Sequence, residues 1–321
     1  DNRQPTTDNR QPTTDNRHMS KFEPIYLKTA RDRRLREKIN QSRNLLRSCT
    51  LCPRECQVDR LSGDTGDCET GENAKVSSYN PHFGEEAPLV GSHGSGTIFF
   101  THCNLLCNFC QNYDISHEGR GSEVTASQLA STMLILQNNG CHNINLVTPT
   151  HVVPQILQAL DIAIDGGLQI PLVYNTSGYD KVETLELLDG IIDIYMPDFK
   201  FWDPQVADLT CNAPDYPDSA RLALAEMFRQ VGDLTVDERG IATRGLLVRH
   251  LVLPSGMAGT RQVMEFIAQN ISKDTYVNIM AQYRPCGKAH HVDSLSEPLP
   301  PVEYDKAVAE TKAAGITRLD R

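Results

Sequence analysis

Cys103-Asn104-Leu105-Leu106-Cys107-Asn108-Phe109-Cys110 places three cysteines on one short loop at C-x3-C-x2-C spacing. The run before it, Gly96-Thr97-Ile98-Phe99-Phe100-Thr101, is apolar and rich in β-formers, so the loop leaves the end of a buried strand. Cysteine thiolates are the usual protein ligands of iron–sulfur clusters, and three of them can hold three irons of a cubic [4Fe–4S] core. The fourth iron then has no protein ligand and stays open to a small molecule. A zinc knuckle, or three unrelated buried thiols, is the competing reading of the same spacing.

On either side of the loop the chain falls into a regular rhythm. Strand candidates are Thr97–Thr101, Asn143–Thr148, Pro171–Asn175, Ile191–Met196, Gly245–Leu253 and Tyr276–Ala281. Helix candidates lie between them at Thr125–Gln137, Val153–Ile164, Lys181–Leu188, Ser219–Val231 and Gly259–Asn270, with a last helix at Pro301–Ala314. The first opens on the capping-box pattern Thr125-Ala126-Ser127-Gln128, and Gly315 suits the C-cap of the last. Six β-α units in series predict a parallel sheet, and strands that are apolar without alternation fit a sheet covered on both faces. Six units are too few for the eight-stranded barrel. The expected fold is α/β, an open (β/α)6 partial TIM barrel, with function at the carboxyl ends of its strands.

Those ends are polar. The second strand closes on Thr148-Pro149-Thr150-His151, the third on Asn175-Thr176-Ser177-Gly178-Tyr179 and the fourth on Pro197-Asp198-Phe199-Lys200. The fifth carries Arg249-His250, and the sixth ends at Gln282-Tyr283-Arg284. Each has a bland reading: Thr148-Pro149-Thr150 as a helix cap, Asp198 and Lys200 as a surface ion pair of little worth, His151 as a surface histidine. Their recurrence at one pole of six strands is the argument for a shared mouth above the cysteines.

Upstream, Cys49, Cys52, Cys56 and Cys68 follow the pattern C-x2-C-x3-C-x11-C across glycine-bearing turns. Four soft ligands suit tetrahedral zinc or a second iron–sulfur cluster, and softness alone does not choose between them. The alternative is that only Cys49 and Cys52 pair usefully. The expected organisation is therefore a tag-like or disordered repeat at 1–18, a helical and Cys-rich metal-binding segment at 19–95 (with its helix near Lys28–Leu46), the partial barrel at 96–285, and a C-terminal extension with a helix at 286–321.

The chain has 321 residues and a formal net charge of -10. That balance speaks against non-specific nucleic-acid binding. No apolar run reaches the roughly 18 residues of a membrane span, and no signal peptide is visible, so a cytoplasmic location is expected. Ten cysteines without a secretory signal read as metal or redox ligands rather than a disulfide framework. Cys141 is expected in the core, Cys211 in a loop, and Cys286 near the mouth as an inert thiol, a ligand or a radical relay. His82, Glu85 and Glu86 seal the cluster, bind a partner or sit on a solvated loop.

At this level a resemblance becomes specific. Gly94–Phe100 with Cys103–Ser116, Asn143–His151, Val173–Tyr179, Asp193–Lys200, Arg249–Pro254 and Cys49–Cys56 with Pro53-Arg54-Glu55 resemble the uncharacterised radical S-adenosylmethionine (SAM) proteins related to pyruvate formate-lyase activating enzyme. The resemblance covers roughly residues 45–285. It implies that Cys103, Cys107 and Cys110 hold a [4Fe–4S] cluster whose open iron binds SAM, which is split reductively to a 5′-deoxyadenosyl radical. It implies further that Phe109 lies near the adenine and that Thr148 and Pro149 meet the SAM amino group through the backbone. Asn175, Thr176 and Ser177 then help to hold SAM, with Asn175 where the activating enzyme has an aspartate. Asp198 and Lys200 match an Asp-x-Lys motif near the methionine group, and Lys200 or Arg249 pairs with the carboxylate. Gln282 and Tyr283 are placed facing the substrate. The implied activity is hydrogen abstraction from a protein or peptide, as in glycyl-radical activation, with electrons from a flavodoxin or ferredoxin. A small-molecule substrate is the second reading. A non-catalytic adaptor with zinc in both cysteine groups is the third.

Overall fold

The structure, a computed structural model, describes residues 22–320; the repeat at 1–18 lies outside them. Among the described residues no helix is long and apolar enough to cross a membrane.

Six strands run parallel in sequence order: β2 (Ser95–Phe100), β4 (Ile144–Val147), β5 (Leu172–Thr176), β6 (Ile194–Pro197), β8 (Ala242–Leu251) and β9 (Tyr276–Met280). Their ladders fix the register, with Phe99 opposite Val147, Val147 opposite Asn175 and Thr176 opposite Pro197. The polar residues that follow these strands thus leave the sheet at one level. The parallel sheet is open, since β2 and β9 do not pair with each other. It also curls: Arg249 on β8 reaches past β6 to Asn175 on β5, at 2.8 Å.

Three strands were not expected from the sequence. β1 (Ala74–His82) runs antiparallel to β2, β3 (Ser122–Val124) extends β1, and β7 (Thr235–Val236) borders β8. β3 and β7 are short and β1 is only partly buried, so they lack the apolar pattern that marks a buried strand.

Helices cover the convex face. The charged stretch at 28–46 is two helices, α1 (Ile25–Arg31) and α2 (Arg34–Asn44), broken where Arg33 adopts a left-handed φ of 62°. The exception is a single turn, α3 (Ala87–Val90), on the concave side: it buries Leu89 against Val173, Ile194, Met196 and Leu247, which share the sheet face of Asn175, Asp198 and Arg249. Another single turn, α4 (Tyr113–Ser116), follows the cysteine loop. α5 (Ala126–Asn138) opens on the complete Thr125–Gln128 capping box. α6 (Val153–Asp165) and α7 (Val182–Leu187) follow β4 and β5. After β6 come α8 (Pro204–Cys211), a helix in place of the expected loop at Cys211, and α9 (Tyr216–Val231). Asn212 caps α8 in the left-handed conformation at φ 48°. α10 (Thr260–Phe266) runs into a π-helical turn at Ile267–Ile271, and α11 (Pro301–Ala313) closes the chain before Gly315 at φ 95°.

Candidate active site

The cysteine loop turns through two non-glycine residues with positive φ, His102 at 62° and Leu106 at 56°. Such backbone persists only when its surroundings over-determine it. Here they do. His102 N–H donates to Ile115 O at 2.9 Å, Asn108 N–H donates to Thr210 O at 2.8 Å, and the buried Asn104 amide donates to Tyr179 O at 2.7 Å. Arg54 adds a fourth anchor: its guanidinium donates to the carbonyls of Asn104 (3.0 Å), Leu105 (3.3 Å) and Cys211 (2.8 Å).

So held, Cys103, Cys107 and Cys110 line one cavity of about 150 Å³ together with Thr148, Asn175, Thr176, Ser177, Asp198, Lys200 and Arg249. No fourth cysteine lines it. Three soft ligands on one wall and a polar wall opposite fit a site-differentiated cluster with an open coordination position. Ser116 Oγ donates to Cys110 Sγ at 3.2 Å and Leu105 N–H to Cys103 Sγ at 3.4 Å, bonds of the kind that tune cluster potential. Without metal these are neutral thiols. Burial pushes Cys103 up to about 12, while a hydrogen bond with the Cys211 thiol, then burial, raises Cys107. Loading the site therefore releases protons.

The opposite wall is a buried charge network. Asp198 accepts from Lys200 Nζ at 2.5 Å on one oxygen and from Arg249 Nε at 2.8 Å on the other. Arg249 also lies 3.6 Å from Glu85 and 4.0 Å from Glu86. Burial alone would raise the Asp198 carboxyl, but Arg249 and Lys200 hold it below the usual carboxylate range. Burial raises Glu85. Glu86 is 4% exposed and takes a hydrogen bond from Asn278 at 2.9 Å, so this pair is buried behind Arg249 rather than on a solvated loop.

Three supporting residues carried no sequence signal. Tyr216 Oη lies 2.9 Å from Ser177 O, 3.1 Å from Asp198 O and accepts from Lys200 N–H at 2.9 Å, tying the ends of β5 and β6 together. Asp180, fully buried, accepts from Thr150, Tyr174 and Thr176 at 2.6–2.9 Å. Gly178 has φ 79°, and a Cβ there would lie 2.2 Å from Asp198 O, so only glycine fits between the two strand ends.

Other expected residues lie elsewhere. Phe109 is buried edge-on against Phe201 and Tyr283, and neither it nor Pro149 lines the cavity. Tyr283 donates to Leu295 O at 2.6 Å and Gln282 is exposed; both stand outside the cavity, as does Cys286. His151 is not on the surface: it is 1% exposed and its Nε2 pairs with Thr101 O at 3.0 Å. His250 turns away from the mouth to bridge Phe199 O and Thr260, and burial lowers it to about 4, so it is neutral packing. Cys141 is buried under Gly96, as expected of a core thiol. A wider cleft of about 680 Å³ between α10 and α11 contains none of the predicted site residues.

Residues 97–238 match the model of the radical SAM superfamily. An uncharacterized protein of Methanocaldococcus jannaschii is 30% identical over 281 residues, spanning 84% of this chain and 76% of the relative. The chain belongs to the radical SAM superfamily. Membership implies a [4Fe–4S] cluster and SAM, and the three-cysteine cavity is where the donor set fits them. The chain is thus a radical SAM enzyme, and one residue lining the three-cysteine cavity stands out in backbone geometry. Thr148 occupies φ 59°, where a β-branched side chain is an outlier. If SAM is met there through the backbone, Thr148→Gly retains SAM affinity and gains about 1 kcal/mol of stability by relieving that strain. Thermal unfolding and SAM titration of the variant check both.

Proposed function

We propose that this radical SAM enzyme removes a hydrogen atom from a protein or peptide, as glycyl-radical activases do. The observation that best supports the reading is the unclosed sheet: β2 and β9, the two ends of the parallel array, do not pair with each other, and the outer side of β2 is taken by the antiparallel β1. Between them the link is a side-chain bond, Asn278 to Glu86, and not a strand ladder. Such a mouth suits entry of a polypeptide loop better than a closed barrel would. The resemblance of the cysteine loop and of Asp198-Phe199-Lys200 to the activating enzymes points the same way.

Bound together, cluster and SAM supply one-electron cleavage of a C–S bond. The chain supplies the rest. Cys103, Cys107 and Cys110 hold the metal, and Lys200 and Arg249 pair with the SAM carboxylate as charge-assisted partners. Asp198 keeps both cations in place, with Lys200 and Asp198 next to the reacting region. Thr148 offers a backbone carbonyl to the SAM amino group, and Asn175, Thr176 and Ser177 line the pocket beside it. Positioning of the substrate hydrogen and exclusion of water then set rate and specificity. A reduced flavodoxin or ferredoxin is the proposed electron donor.

The test is deuterium transfer. Anaerobic, reduced protein is incubated with SAM and a candidate glycyl-radical protein deuterated at its glycines. Deuterium in the 5′-deoxyadenosine product is the expected result. Transfer from small molecules only, and from no polypeptide, contradicts the reading.

A further inference from the structure

The Cys-rich segment between α2 and β1 has little structure of its own. After the short 3-10 turn at Leu45–Arg47 it contains neither helix nor strand until Ala74. Its apolar core is small: Leu46, Cys49 and Leu51, with Leu45, Val58 and Leu61 packed on them. A stretch this poor in core needs a covalent or metal staple to hold one conformation. Its cysteines are not paired as disulfides.

Cys49, Cys52, Cys56 and Cys68 line one nearly closed cavity, alongside Leu51, Val58 and Gly66. Gly66 is packed so tightly that a Cβ would lie 2.5 Å from Cys56 Sγ, so the glycine makes room for a sulfur that faces inward. The same cavity is lined by Arg60, whose side chain is 1% exposed. Arg60 Nη1 sits 3.8 Å from Cys49 Sγ and donates to His151 O at 2.8 Å, while its Nη2 has no hydrogen-bond partner. A buried guanidinium with an unsatisfied donor beside four thiols calls for an anion. Thiolates gathered on a metal centre supply one.

The geometry among the four sulfurs favours one of the two candidate metals. In a zinc site four sulfurs stand about 2.3 Å from one ion, closer than any sphere of water size could approach them. Here the enclosed cavity measures about 10 Å³ as room for the centre of a water molecule. Among the described residues, moreover, no three Cys, His, Asp or Glu side chains converge on a point where a single ion would sit. The Cys103–Cys110 set shares that wider spacing. We propose that Cys49, Cys52, Cys56 and Cys68 hold a second iron–sulfur cluster, of the four-thiolate [4Fe–4S] type, rather than zinc. With all four irons ligated by protein, this cluster has no position for SAM.

The site is wired to the first by protein. Asn104, the residue after Cys103, forms part of the second cavity's wall. Arg54, on the turn between Cys52 and Cys56, grips the carbonyls of Asn104 and Leu105. The second centre therefore stands directly behind the loop that carries the first.

Anaerobic reconstitution with iron and sulfide, followed by metal analysis and EPR, tests this without reference to any substrate. Wild-type protein is expected to hold roughly eight irons and no stoichiometric zinc, and the triple variant Cys103→Ala/Cys107→Ala/Cys110→Ala roughly four, with a reduced-cluster signal that SAM leaves unchanged. About four irons with one zinc in the wild type overturns the proposal, as does about four irons alone. The wild-type count decides even where the triple variant fails to fold. Failure of SAM to perturb any wild-type signal would instead count against the radical SAM site.

Discussion

Cys107→Ala is expected to lower SAM cleavage by more than about 10³-fold, equivalent to more than about 4 kcal/mol of barrier, while the chain stays folded. Cys107 is 7% exposed and is one of the three thiols on the cavity wall. Two remaining thiols cannot hold three irons, so the centre is lost rather than weakened. The fold does not depend on this thiol, because the loop is anchored by the backbone and side-chain bonds of His102, Asn104, Asn108 and Arg54. Removing one buried sulfur costs about 1 kcal/mol, as small buried truncations do. Production of 5′-deoxyadenosine, read beside thermal unfolding, separates the effects. Cleavage within tenfold of wild type would show that the cluster is held elsewhere.

Arg249→Ala should be the most destabilising single change at the mouth, costing about 3–5 kcal/mol. The guanidinium binds Asp198 and Asn175 directly and faces Glu85 and Glu86. Its removal leaves three buried carboxylates with only Lys200 to offset them. Arg249→Lys restores a charge but not the fork that reaches Asp198 and Asn175 at once, so it recovers only part of the loss. SAM affinity should fall in step, since one of the two cations proposed for its carboxylate is gone. Urea unfolding measures the first effect and SAM titration the second. A stability change under about 1 kcal/mol for Arg249→Ala would mean that Asp198 does not rely on Arg249 in the buried network described above.

What could be read from the chain, and what could not, follows from range. The six parallel strands declare themselves because each is a short apolar run buried on both faces, and Thr125-Ala126-Ser127-Gln128 declares a helix start through bonds made within four residues. Cys103, Cys107, Cys110, Asp198, Lys200 and Arg249 are also readable, as polar residues where apolar runs end. Tyr216, Asp180 and Gly178 are not. Tyr216 acts on Ser177 and Asp198 across 39 and 18 positions of sequence, and nothing local marks its hydroxyl. At Phe109 a motif position fixes where the backbone passes and not where the ring points: the ring packs inward on Phe201. The strand Ala74–His82 escaped notice because it has neither the apolar run nor the clean alternation of a buried strand. Nothing in the sequence assigns Arg54 or Arg60 a role, yet one braces the cysteine loop and the other is buried against Cys49.

The most direct measurement of the central claim is the EPR spectrum of the dithionite-reduced protein with and without SAM. If Cys103, Cys107 and Cys110 hold a cluster with an open iron beneath the Asp198–Lys200–Arg249 wall, SAM shifts the signal of one centre, and Cys107→Ala removes the shifted component. A spectrum that SAM leaves unchanged, in protein that carries its full complement of iron, contradicts the account.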